Sequence, residues 1–188
     1  MQRIFLVLTL LFSQLAVSAD IKVVFTKGIN KKISTNNKER ILSKGMKVLK
    51  DQTVKTEANG FVILKIDGHS TIRIEEDSEV IVGELPLFNK DINELESGGS
   101  FFLKMGTILL DVEKEFDTEA VNIKTANCIF GVRGTKFLVS KADHTLLTVN
   151  SGTVEIQNTL TNQSDFIEKD ESLVVERDMT FTQRQKLD

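Results

Sequence analysis

The sequence predicts an all-β fold, and three observations carry that expectation. Apolar and polar residues alternate with a period of two in short runs rich in Val, Ile, Thr and Phe, the mark of strands with one buried face. The breaks between runs hold turn chemistry such as Asn59-Gly60, Asp67-Gly68 and Ser151-Gly152, which supplies the positive φ of tight hairpins. Few windows carry a helical period, so roughly ten short strands are expected rather than a mixed fold.

The first nineteen residues stand apart. A basic start, Met1-Gln2-Arg3, precedes an apolar run from Ile4 to Phe12, and Val17-Ser18-Ala19 supplies a small-residue cleavage site. This is the three-part layout of a secretory signal peptide cut after Ala19. The apolar stretch is shorter than the ~20 residues a spanning helix needs. No cysteine follows it, so lipid attachment at the new terminus is not expected. Removing residues 1–19 takes away Arg3 and no acid, leaving 169 residues with a net charge of −4. The expected location is the periplasm or the exterior, with no membrane span in the mature chain.

Residues 20–44 read as an N-terminal strand and loop, with the polar Asn30 to Arg40 stretch as a loop or open hairpin end. From residue 45 to 175 the alternation is nearly continuous. Val62, Leu64 and Ile66 share a face, as do Ile72 and Ile74, and Ile108, Leu110 and Val112. Phe137 and Val139, Leu147 and Val149, then Val154 and Ile156 continue the habit. Between Glu84 and Gly99 the pattern dissolves, which fits a short helical turn or a surface loop closed by Gly98-Gly99. Residues 176–188 form a polar tail. Residues 64–82 can be laid on 138–156 without a gap, pairing Leu64 with Leu138 and Val80 with Val154. Alternation alone makes strand runs look alike, so this echo leaves duplication open.

Composition excludes several chemistries. The chain holds two His and one Cys, too few for a zinc cluster of about four N/S ligands or for any disulfide framework. Cys128, between Asn127 and Ile129-Phe130, reads as a small buried packing residue, the alternative being a reactive thiol. The net charge of −3 argues against nucleic acid, which calls for a basic face. His69 and His144 fall in turn tips and read as solvated. Acids abound, but Glu75-Glu76-Asp77 and Glu113-Lys114-Glu115 read as strand ends, and the chain has no Trp or Tyr to make a sugar platform. No glycine-rich phosphate loop opens a helix. No catalytic residue, metal site or cofactor is therefore expected, and the chain reads as a non-enzyme.

The most informative stretch is Ile123-Lys124-Thr125-Ala126-Asn127-Cys128-Ile129-Phe130-Gly131-Val132-Arg133-Gly134-Thr135-Lys136-Phe137. It resembles the core of the FecR domain of bacterial envelope proteins, a Thr and a small residue followed by [Val/Ile]-Arg-Gly-Thr-x-Phe. Lys44-Gly45-Met46 to Asn59-Gly60-Phe61 upstream, Leu103-Lys104-Met105-Gly106-Thr107-Ile108, and Leu147-Thr148-Val149 with Ser151-Gly152-Thr153-Val154-Glu155-Ile156 agree with it in order. The resemblance covers roughly residues 45–175. It implies a twisted antiparallel sheet in a short solenoid-like or sandwich arrangement. Siderophore-linked FecR regulators add a cytoplasmic sigma-regulating region, a membrane span and a receptor-contacting region. A chain led by a signal peptide is not expected to reach the cytoplasm, which sets an anti-sigma role aside. The implied protein is a stand-alone exported FecR-domain protein.

The motif also has a physical reading of its own. Gly131 and Gly134, flanking Val132-Arg133, permit a bulge, a sharp bend or a close backbone approach. Ala126 and Gly152 join them as structural positions. Arg133 offers a planar fork for a carboxylate, a carbonyl or a phosphate. It either tethers neighbouring strands while Thr135 caps the bend, or contacts an anion or peptide terminus, making Arg133 and Thr135 the candidate binding residues. The expected function is an envelope interaction module binding an envelope protein or cell-wall material through a loop or strand edge. The alternatives are a carboxylate enzyme acting on polysaccharide or peptidoglycan and a self-associating structural protein.

Overall fold

The computed structural model describes residues 20–83, 100–112, 121–132, 134–176 and 180–187, and none of these is helical. The expected signal peptide, the 84–99 stretch, the Glu113 to Glu115 acids and Arg133 lie outside the described residues.

Sixteen strands follow one another: β1 (Ile21–Lys27), β2 (Asn30–Ile33), β3 (Glu39–Ile41), β4 (Thr53–Thr56), β5 (Phe61–Ile66), β6 (Ser70–Ile74), β7 (Glu79–Val82) and β8 (Ser100–Asp111). Then come β9 (Val121–Lys124), β10 (Cys128–Val132), β11 (Lys136–Lys141), β12 (Thr145–Ser151), β13 (Thr153–Asn158), β14 (Ser164–Glu168), β15 (Glu171–Val175) and β16 (Phe181–Lys186). The polar 30–40 stretch is a hairpin, with Lys31 opposite Ile41 and Ile33 opposite Glu39. The polar stretch beyond residue 176 contains β16, which pairs with β15.

Pairing sorts the strands into two sheets. The first runs β1-β5-β6-β8-β11-β12-β15-β16, and the second runs β3-β2-β4-β7-β8-β9-β10-β13-β14. Strand β8 belongs to both. Its residues 100–105 pair with β7 and β9, and its residues 106–111 with β6 and β11. Among the described pairs only β8–β9 is parallel, through Ser100↔Asn122, Phe101↔Ile123 and Phe102↔Lys124.

The inner faces of both sheets contribute to one hydrophobic cluster. In β5 the parity is complete: Val62, Leu64 and Ile66 are buried and Phe61, Ile63 and Lys65 half-buried. Phe101 and Phe130 from the second sheet and Phe137 from the first are the largest fully buried side chains. Phenylalanine fills this interior without a polar atom to satisfy, and each such burial stabilises by about 2–3 kcal/mol.

The chain weaves between the sheets, and the weave repeats. β5 pairs β6, and β4 pairs β7; later β11 pairs β12, and β10 pairs β13. Strand β8 then closes β6 and β7, as β15 closes β12 and β14 closes β13. The gapless overlay of 64–82 on 138–156 is one residue out of step in the hairpin. Leu64 lies opposite Ile72 and both are buried; the overlay sets them on the half-buried Leu138 and Leu146, whereas the buried pair there is Val139 opposite Leu147. Leu64 therefore corresponds to Val139, and Leu138 faces outward. A one-residue slip exchanges the two faces of a strand, which is why the echo is faint in the sequence.

Candidate functional site

The Gly131-to-Thr135 motif marks where the chain leaves the second sheet for the first. β10 ends at Val132, which is buried between Val121 and Val154. Gly134 then takes φ +59°, and β11 begins at Lys136. Gly131 lies within β10 opposite Asn122 and Glu155. An added Cβ there would have Asn122 Oδ1 at 3.9 Å as its nearest neighbour, so nothing crowds it. Of the two glycines, Gly134 takes the left-handed backbone and Gly131 does not.

Thr135 is buried beside this bend. Its C=O accepts from the Val112 N–H at 3.0 Å. Its Oγ1 has no hydrogen-bond partner among the described residues. The chain passes back from the first sheet to the second at Gly152, and the two passages touch. A Cβ at Gly152 would lie 2.6 Å from Thr135 Cγ2 and 3.0 Å from Gly134 O, at φ +81°. Gly134, Thr135 and Gly152 thus form one tight corner in which the threonine methyl is packed.

Ala126 sits away from this corner, exposed in the β9–β10 turn. Thr125 Oγ1 accepts from the Cys128 N–H at 3.1 Å, and the Ala126 C=O accepts from Thr159 Oγ1 at 3.2 Å. Cys128 is fully buried and unbridged. Desolvation pushes its thiol up to about 12, with Lys141 pulling weakly the other way. His69 and His144 occupy the β5–β6 and β11–β12 turns. Among the described residues no three His, Cys, Asp or Glu side chains gather as metal ligands.

A second constellation lies at the outer edge of β14, where the sequence motif gives no signal. Strand β14 pairs only with β13 among the described residues. The outward N–H of Phe166 donates to the neighbouring Asp165 Oδ1 at 2.8 Å, and the Phe166 C=O accepts from Arg184 Nη2 at 3.1 Å. The Glu168 N–H donates to Glu171 Oε2 at 2.9 Å. Arg184 reaches over from β16 in the first sheet, with Nη2 2.6 Å from Glu171 Oε2 and Nη1 3.7 Å from Asp165 Oδ2. The Arg184 guanidinium, with the Glu168 N–H, holds the Glu171 carboxyl below its ordinary range. Charged side chains thus occupy hydrogen-bonding positions that a further strand would take, a known protection of sheet edges. The signal available in the sequence was the spacing of Asp165, Glu168 and Glu171 with Arg184, but only the fold brings them together, with β14 paired to β13 in the second sheet and β16 to β15 in the first.

The family model described as FecR protein matches residues 52–155, which includes the corner, the first copy of the weave and β10 to β12 of the second. The chain belongs to the FecR family. Two crystal structures, each of a protein assigned as an anti-sigma factor from Parabacteroides distasonis, share the fold. One superposes with a TM-score of 0.56 at 10% identity, the other with 0.54 at 12%, and each match covers 72% of this chain. The matched region spans 60% of the length of those chains. No curated protein matches the sequence. At such identities the likeness speaks for the architecture, and in this FecR chain that architecture is all-β.

Proposed function

We propose that this FecR-family chain is a non-catalytic, signalling-related binding module of the bacterial cell envelope, exported with its signal peptide removed after Ala19. One observation carries the reading: the described part of the family motif is spent on architecture. Gly134, Thr135 and Gly152 are locked into one corner, so the motif supports a scaffold whose contacts are made by turns and strand edges. Strand edges bind extended segments through main-chain hydrogen bonds, with specificity from alternate side chains. The partner is an envelope protein or cell-wall material.

The test pairs two measurements on the chain beginning at Asp20. Immobilised on a support, it retains a specific component of a solubilised envelope fraction. Incubated with purified sacculi or polysaccharide, it releases no soluble fragments. Release of fragments that one acid-to-amide substitution abolishes would replace the binding reading with an enzymatic one.

A further inference from the structure

The two ends of the strand stack are chemically opposite. In the second sheet β3 is outermost at one end and β14 at the other, eight strand spacings or about 38 Å apart. Residues 30–50, around β2 and β3, carry seven Lys/Arg and one Glu, a net +6; residues 164–187, from β14 through β16, carry six acids and four bases, a net −2. Within this, β3 is exposed throughout and β14 exposes Phe166 and Glu168. Lys38 and Arg40 make no ion pair among the described residues.

Apolar exposure follows the same division. Phe25, Ile29, Ile41 and Leu49 lie at the basic end, and Leu160, Phe166 and Leu187 at the acidic end; among the described residues only Met105 of the large exposed hydrophobics lies elsewhere. Ile41 is 67% exposed on β3 and Phe166 56% on β14.

The repeat shows what an edge of this kind accepts. Ile167 of β14 lies opposite Val154 as Leu103 of β8 lies opposite Val80. In β8 the other edge beside this position, from Ser100 to Phe102, receives a further strand, β9. In β14 it receives none among the described residues.

We propose that the chain associates head to tail with a second copy of itself, the β14 edge of one molecule meeting the β3 edge of the next. The two surfaces differ, so the contact is heterologous and can propagate. On docking, Arg184 releases the Phe166 C=O and Asp165 releases the Phe166 N–H. Lys38 and Arg40 of the incoming edge then face Asp165, Glu168 and Glu171, while Ile41 and Phe166 bury apolar surface. Strands of three and five residues make a small contact, under about 1,200 Å² and hence weak. The self-contact is independent of the envelope partner proposed above.

Sedimentation velocity of the chain beginning at Asp20 tests this. At low salt the weight-average sedimentation coefficient rises with concentration. It returns to the monomer value near 0.5 M salt, where the screening length is about 4 Å. Phe166→Pro blocks the acidic end; that N–H points away from β13, so no ladder bond is lost. Lys38→Glu with Arg40→Glu reverses the basic end. Each variant alone stays monomeric, and an equimolar mixture gives dimers and nothing larger. Asp165→Lys with Glu168→Lys replaces Phe166→Pro if circular dichroism shows the proline variant unfolded. A wild-type chain that stays monomeric at every concentration overturns the proposal, as does dimerisation of either blocked variant by itself.

Discussion

Gly106 is pressed against Ser78: a Cβ on Gly106 would lie 2.1 Å from Ser78 Oγ and 2.4 Å from Ser78 Cα. The Gly106 backbone sits at φ +97°, a conformation side chains rarely adopt. Ser78 in turn accepts from the Thr107 N–H at 2.9 Å and donates from its backbone N–H to Thr56 Oγ1 at 2.9 Å. This contact fixes where β8 passes from one sheet to the other. Gly106→Ala is expected to destabilise by at least about 2 kcal/mol. Gly131→Ala, with open space and ordinary φ, should stay within about 1 kcal/mol of wild type. Denaturant midpoints measured on both variants check the contrast, and equal losses would sink it.

Thr135→Val replaces a buried hydroxyl that has no partner among the described residues with a methyl of similar size. The corner should be unchanged or stabilised by about 1 kcal/mol, because no hydrogen bond is lost. Thermal unfolding reads the sign. A loss of several degrees would show that the hydroxyl is satisfied in solution.

Cys128 should resist alkylation in the folded chain, since it is fully buried and its thiol titrates near 12. The thiolate is the reactive form, and it is scarce at neutral pH. Labelling followed by mass spectrometry should show modification only at denaturant concentrations that unfold the whole chain. Fast labelling under native conditions contradicts this.

The Glu171–Arg184 pair gives stability a pH dependence of known sign. The folded carboxyl titrates below its ordinary value of 4.5, so the pairing is fully present above that pH. It is lost as pH falls through the depressed folded value. The thermal midpoints of wild type and Glu171→Gln should differ at pH 7 and converge on acidification below 4.5. A gap that persists to pH 2 would mean the carboxylate charge is not the cause. High salt should narrow the gap at neutral pH, as the Arg184 end of the pair is exposed.

Much of this fold can be read from alternation, because the inward positions are almost all aliphatic or Phe. Val62, Leu64, Ile72, Ile74, Phe137 and Val139 are buried as their parity demands. Parity fails as a guide where both faces are apolar. Leu109 and Leu138 are half-buried on the outer face, and this is where the overlay of the two repeats slipped by one residue. Strands β3 and β16 leave little trace because they cap the ends of the sheets; Glu39-Arg40-Ile41 is exposed at every position, as are Arg184, Gln185 and Lys186. The corner motif announced a bend but not which glycine makes it. That depends on Gly152, eighteen residues past Gly134, arriving from the other sheet. The charge asymmetry was visible in the sequence, yet it gains meaning only when topology sends residues 30–50 and 164–187 to opposite ends.

Because β8 closes both sheets of the first repeat, that repeat cannot be completed from its own residues. During synthesis β6 and β7 emerge with one flank each unfilled, and both wait for residues 100–111. A ribosome stalled before Ser100, or a protease cut that frees the preceding segment, leaves adjacent rows of apolar strand ready to pair with any neighbour. Translocation across a membrane as an extended thread, with folding begun only once the whole chain has arrived, would spare the first half that exposure.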